Sequence, residues 1–136
     1  MRKLDQRGVA AFEFCLVLIP FLMSMFVIFD LGRYAITMQS LRAYANAGAR
    51  AAMIGDCYVE PILQKKPPTC STADLSSVDK PPFVSASATL TVTSEAPLTI
   101  KAEDTSFTMG MTGLTQQLWP ASFNSLSVST QIPTPF

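Results

Sequence analysis

The chain has 136 residues, ten basic against ten acidic side chains, and no histidine. That length suits one domain of ordinary size. A zero net charge argues against a nucleic-acid binder, and the lack of histidine removes the commonest metal ligand and the commonest general base. The apolar share is 49%, most of it in the first third, while the remainder is rich in Ser, Thr and Pro.

Residues 1–8 carry Arg2, Lys3 and Arg7 against Asp5, a basic leader of the kind that stays cytoplasmic under the positive-inside rule. Residues 9–29 follow with Glu13 as their single charge. At about 1.5 Å per residue they reach roughly 30 Å, the thickness of a bilayer core. Apolar side chains surround this helix on every side, and a chain this small cannot bury such a helix internally. The spacing predicts a transmembrane helix over residues 9–31. A cleaved secretory signal fits poorly, because the run is long and the first small-x-small triplets, such as Ala43-Tyr44-Ala45, lie far past it. Pro20 removes a backbone donor inside the run, so a bend is expected there. It is either a tolerated kink or a point where a packed helix can stretch. Cys15 reads as a small apolar residue.

Helical periodicity continues past Asp30, Gly32 and Arg33. Leu31, Tyr34, Ala35, Met38, Leu41, Ala45, Gly48, Ala49 and Ala52 recur at steps of three and four, a stripe that narrows toward small side chains. This predicts an external continuation over residues 32–55, stopped at Gly55-Asp56. Residues 56–82 read as a Pro-rich loop holding Cys57, Cys70 and the solvated pair Lys65-Lys66. The two cysteines read as a disulfide if the segment lies in an oxidising compartment. Their spacing does not suit a structural zinc site, and no metal or other cofactor is expected.

From Phe83 the pattern switches to period two. Val84, Ala86, Ala88, Leu90 and Val92 alternate with Ser and Thr, a half-buried strand. Leu98, Ile100 and Ala102 predict a second strand after a turn at Glu95-Ala96-Pro97. Phe107, Met109 and Met111 predict a third, and Leu126 with Val128 a last one. Residues 113–125 read as a loop with apolar anchors at Leu114, Leu118, Trp119, Pro120 and Phe123. The expected fold class is α+β: a long N-terminal transmembrane helix whose outer half packs on a small antiparallel sheet within residues 83–136.

One carboxylate in an apolar segment costs up to about 2.5–3.5 kcal/mol, less near the interface. A cut between Gly8 and Val9 would supply a partner: the new amino terminus is charged at neutral pH and lies one helical turn from Glu13. It could pair with Glu13 of its own chain or of a neighbour, and the cut would also remove the basic leader.

The basic leader, Arg7-Gly8, Val9-Ala10-Ala11-Phe12-Glu13-Phe14, the apolar run with Pro20 and the trailing Asp30-Leu31-Gly32-Arg33 together resemble the TadE-like pilin family of tight-adherence, type IVb pilus systems. The resemblance covers roughly the first 55 residues. It implies cleavage after Gly8 by a prepilin peptidase, with Val9 as the first and Glu13 as the fifth mature residue and the aromatic Phe14 next. It implies an inner-membrane protein with a cytoplasmic N-terminus and a periplasmic C-terminal domain, a minor pilin or pseudopilin that assembles through Glu13 and Phe14. The partners it implies are the membrane, the prepilin peptidase, other pilin subunits and the assembly platform, with incorporation into an extracellular pilus as the further step. The competing expectation is an unprocessed single-pass anchor holding a periplasmic binding module. The scattered acids Asp56, Glu60, Asp74, Glu103 and Asp104 form no nucleophile–base set, so an enzyme is not expected.

Overall fold

An unbroken apolar run followed by an alanine-rich stripe makes one helix, α1 (Gln6–Ile54), 49 residues long and about 74 Å from end to end. The computed structural model describes residues 6–70, 75–95, 97–110 and 116–133, so residues 1–5 of the leader and Asp74 lie outside the described residues. The helix continues through Pro20. Its first half has almost no buried surface: Phe12, Leu16, Ile19, Phe21 and Phe29 are all exposed. It is the one described helix long and apolar enough to cross a membrane.

The outer half of α1 buries the predicted stripe. Leu41, Tyr44, Ala45, Ala49 and Ala52 are buried, spaced by three and four along one face. The stripe starts later than expected, since Leu31 and Ala35 stay exposed. Burial pushes the Tyr44 hydroxyl pKa up, as loss of hydration disfavours a phenolate.

Gly55 adopts an extended backbone and opens a second helix, α2 (Asp56–Leu63). This corrects the expectation of a structureless loop over residues 56–82. Pro61 read as a breaker, yet its missing N–H costs little here. The Cys57 carbonyl it would have bonded instead accepts the Thr69 N–H at 3.2 Å. Asp56 sits in the first turn, where a carboxylate suits the helix dipole. At the far end Lys65 takes a left-handed φ of 55°. The Lys66 N–H bonds the Pro61 carbonyl and the Lys65 N–H the Ile62 carbonyl, a Schellman-type ending.

Three strands form the sheet in the order β1-β2-β3: β1 (Thr89–Glu95), β2 (Leu98–Asp104) and β3 (Leu126–Ile132). Both pairings are antiparallel, with Leu90 opposite Ala102, Ala102 opposite Val128 and Leu98 opposite Ile132. The register shifts between Val92 and Ser94. This face packs on α1 in two clusters. Nearer the apolar half, Leu41, Tyr44 and Ala45 meet Ala102, Leu126, Phe107 and Met109. Nearer its C-terminal end, Ala49 and Ala52 meet Leu98, Ile100 and Ile132. Hence β2 runs back toward the apolar half of α1, while β1 and β3 run away from it.

Two strand expectations need correction. Residues 83–88 alternate but form turns, and β1 begins only at Thr89. The reason is a competing partner: the Ser85 N–H and hydroxyl are both taken by the Asp104 carboxylate, at 3.2 and 2.8 Å. Residues 107–110 are not a strand either, and residues 111–112 lie outside the described residues. The Met109 N–H donates to the Asn124 side-chain oxygen at 3.0 Å, and Phe107 and Met109 are buried as loop anchors. Side chains supply the bonds that a ladder would otherwise provide.

Candidate functional site

The first turns of α1 contain Gly8, Val9, Glu13 and Phe14 in one continuous helix. Phe12 is 69% and Phe14 64% exposed, and Glu13 is exposed between them. Four residues separate Val9 from Glu13, so they lie one turn apart, about 6 Å along the axis. The ion pair Lys101–Glu103, at 2.9 Å, lies far from Glu13 on the outer face of the sheet, where such a pair contributes little. Glu13 therefore stands on a wholly apolar surface that this chain does not cover. Cys15 is a free, exposed thiol on the same stretch. Ser24, one turn past Pro20, folds its hydroxyl back onto the Phe21 carbonyl at 2.7 Å.

Where α1 leaves its apolar half, Asp30 is buried, 1% exposed. Just beyond it an aromatic junction locks the helix to the head. The Tyr34 ring meets Phe107 and Phe123 edge-on at 6.2 and 5.7 Å, and Trp119 meets Phe123 at 5.8 Å. The Arg33 guanidinium lies over the Phe107 ring, 5.9 Å from its centroid. Trp119 and Phe123 were legible as anchors, whereas Leu114 lies outside the described residues. Leu118 is not an anchor but an exposed side chain.

Asp104 ends β2 and gathers the loops around it. It accepts bonds from the backbone and hydroxyl of Ser85 and of Ser106. Burial pushes its carboxyl pKa up, but the side-chain and backbone bonds from the two serines outweigh that and hold it below its ordinary value. It was missed from sequence as a structural centre. The Asp104-Thr105-Ser106 spacing of an Asx turn was the signal present.

Cys57 and Cys70 are joined by a disulfide. Cys70 is fully buried beside Ala49 and Ala52, so the bond ties α2 to the far end of the head. Among the described residues no cluster of His, Cys, Asp or Glu is built to hold a metal ion.

The model of a family described as TadE-like protein matches residues 8–50. No curated protein and no solved structure matches the chain. The matched span runs from Gly8 through the exposed apolar half of α1 and into the stripe that carries the sheet; α2 and all three strands fall outside it. The match spans Gly8, Glu13 and Phe14, the residues that carry the resemblance. Through residues 8–50 the chain is similar to the family described as TadE-like protein.

Proposed function

We propose that this chain is a prepilin-like structural subunit, a minor pilin or pseudopilin of a tight-adherence type IVb pilus. It is cut between Gly8 and Val9 and assembles through α1; it is not an enzyme. Before assembly it crosses the bacterial inner membrane once, with the leader in the cytoplasm and the head in the periplasm. Its partners are the prepilin peptidase, other pilin subunits and the assembly platform.

The observation that carries this reading is the isolation of Glu13. It is a single carboxylate on an exposed apolar helix, five residues after Gly8 and one turn from Val9. An unpaired carboxylate in an apolar setting is costly, and cutting after Gly8 creates the cation that offsets it. Pairing with the amine of a neighbouring subunit sets the axial register between packed helices. Pro20, inside the same stretch, is the proposed place for α1 to bend as helices pack.

The test is the mass of the mature N-terminus. Cells with an active prepilin peptidase should yield a chain beginning at Val9, and cells lacking it the intact leader. A leader retained in both would return the chain to the unprocessed single-pass anchor.

A further inference from the structure

The strand directions place two loops, the one entering β1 and the one joining β2 to β3, at one end of the sheet. β1 starts, β2 ends and β3 starts beside the cluster of Leu41 and Tyr44. The loops at that end carry Phe83, Phe107, Trp119 and Phe123. Phe83, Phe107 and Phe123 reach the same short stretch of α1, and Trp119 packs edge-on against Phe123. Phe83 and Phe107 line one recess with Arg33 and Ile36, and Phe107 and Phe123 stack on Tyr34. Along the axis Arg33 and Tyr34 lie about 6–8 Å beyond Phe29 and Ile36 about 10 Å. The polar layer of a bilayer is roughly 5–8 Å deep on each side of its core. The loops therefore converge on the level where a spanning α1 meets the headgroups.

Among the described residues of these loops two large apolar side chains are left uncovered: Phe83, 70% exposed, and Leu118, 58% exposed. Phe83 is also in the wrong place for a bulky residue. The Val84 N–H bonds the Pro81 carbonyl, closing a turn in which Pro82 comes second and Phe83 third. Phe83 has a φ of 68°, the left-handed conformation that such a turn reserves for glycine or asparagine. Lys65, the other left-handed residue, is explained by ending α2. Nothing among the described residues explains an exposed phenylalanine at Phe83, where a smaller residue would fit with less strain.

We infer that the loop tips at Phe83 and Leu118 are a membrane-seating surface, which holds the head against the lipid–water interface where α1 emerges. The chemistry is that of an interfacial aromatic belt, with Trp119 and Tyr34 at the headgroup level and Arg33 available to lipid phosphates. The occupant is lipid because Phe83 shares a recess with Ile36 of α1, an exposed apolar residue that follows the exposed Phe29 and Leu31 along the helix. Ile54 and Leu63 are as exposed, but Ile54 lies about 37 Å past Phe29, out of reach of the bilayer. The inference rests on α1 spanning the membrane.

The chain has a single tryptophan, so added ones can be read by difference. The full chain and its variants F21W, F83W and I54W would be reconstituted in phosphatidylethanolamine–phosphatidylglycerol vesicles. Some of the lipids would carry bromine, either near the headgroup or deep in the acyl chains. The added emission at position 21 should be quenched by deep bromine. That at position 83 should be quenched by shallow bromine at least threefold more than that at position 54. Quenching at 83 equal to that at 54, with 21 quenched, overturns the seating surface alone. An unquenched 21 overturns the membrane reading beneath it. Protection of position 83 that tracks protein density rather than bromine assigns the surface to a protein contact and also overturns the proposal. The variant F83N should melt no lower than the parent yet lower the shallow quenching of Trp119. A lower melting temperature with unchanged quenching would make Phe83 a structural residue.

Discussion

Helix and sheet approach closely at Gly48, and this can be tested by adding atoms there. A Cβ on Gly48 would lie 2.8 Å from Leu90 Cδ1, 3.4 Å from Leu90 Cδ2 and 3.5 Å from Ile100 Cγ2. For Gly48→Ala two effects oppose each other. The helix gains about 1 kcal/mol in propensity, while the Leu90 methyls must move by several tenths of an ångström. Leu90 is half-buried and the clash is with its flexible end, so the net change should stay within about 1 kcal/mol. Gly48→Leu puts a whole side chain where Leu90 and Ile100 already sit. Overpacking of that kind costs about 1–3 kcal/mol, and levering α1 off the sheet takes it to the upper end. At about 4–8 °C per kcal/mol for a domain of this size, the melting temperature should fall by roughly 12–24 °C. The assay is near-ultraviolet circular dichroism of the full chain in detergent, because the far-ultraviolet signal is dominated by the micelle-bound half of α1. Removing the obstacle should restore stability: G48L/L90A should recover at least half of the loss, a coupling that only touching residues show. A G48L chain that melts within about 2 °C of wild type would refute the close contact.

Three further outcomes are expected. Replacing Cys57 and Cys70 by serine should lower head stability by about 2–4 kcal/mol, the usual worth of closing such a loop; a reductant should reproduce the loss in wild type and do nothing more to the double variant. Asp104 has its folded pKa held below the ordinary value, so its stabilisation is present above the unfolded pKa of about 3.9 and is lost as pH falls through the folded one. Melting should therefore be insensitive to Asp104 from neutrality to about pH 5 and drop below about pH 4. D104N should cost about 1–3 kcal/mol at neutral pH and flatten that acid drop, and an unchanged acid profile would count against the serine network. Glu13→Ala should leave membrane insertion intact and lower fibre incorporation at least tenfold, whereas wild-type piliation in that variant would remove Glu13 from assembly.

Residues whose environment is set by their own neighbours in sequence were legible. The apolar run and the small-residue stripe both declared α1, because periodicity there extends over a dozen turns and nothing competes with it. β2 was also legible, since Leu98, Ile100 and Ala102 alternate in a strand paired on both sides. What failed was alternation without a partner. Val84 to Ala88 and Phe107 to Met109 both show period two, but Asp104 and Asn124 claim the backbone of those segments, and no local pattern announces a distant carboxylate or amide. α2 was hidden for the opposite reason. Pro61 looks like a breaker until Thr69, eight residues on, is seen to bond the carbonyl that it leaves. At the candidate site the spacing of Gly8, Glu13 and Phe14 was fully visible, while the aromatic junction at Tyr34 depends on loops more than seventy residues away in sequence.

On the proposed function, the shared helix constrains how the subunit can leave the membrane. Leu41, Ala45, Ala49 and Ala52 are buried under the sheet, so the head cannot slide along α1, and helix and head must move as one body. The apolar half exchanges lipid for neighbouring helices. That exchange is nearly neutral in hydrophobic terms, because lipid tails are as apolar as leucine. The deciding terms are then the few charges. Arg2, Lys3 and Arg7 would have to cross the apolar core with the helix, at about 2.5–3.5 kcal/mol each on insertion scales, which opposes extraction strongly. The proposed cleavage after Gly8 would remove all three and leave one amine for Glu13 of a neighbour to neutralise. Such a cut would reverse the balance at the end of α1 without altering its apolar body. A subunit that keeps Glu13 but is not cut should stay in the membrane, and one that is cut but lacks Glu13 should leave it less readily.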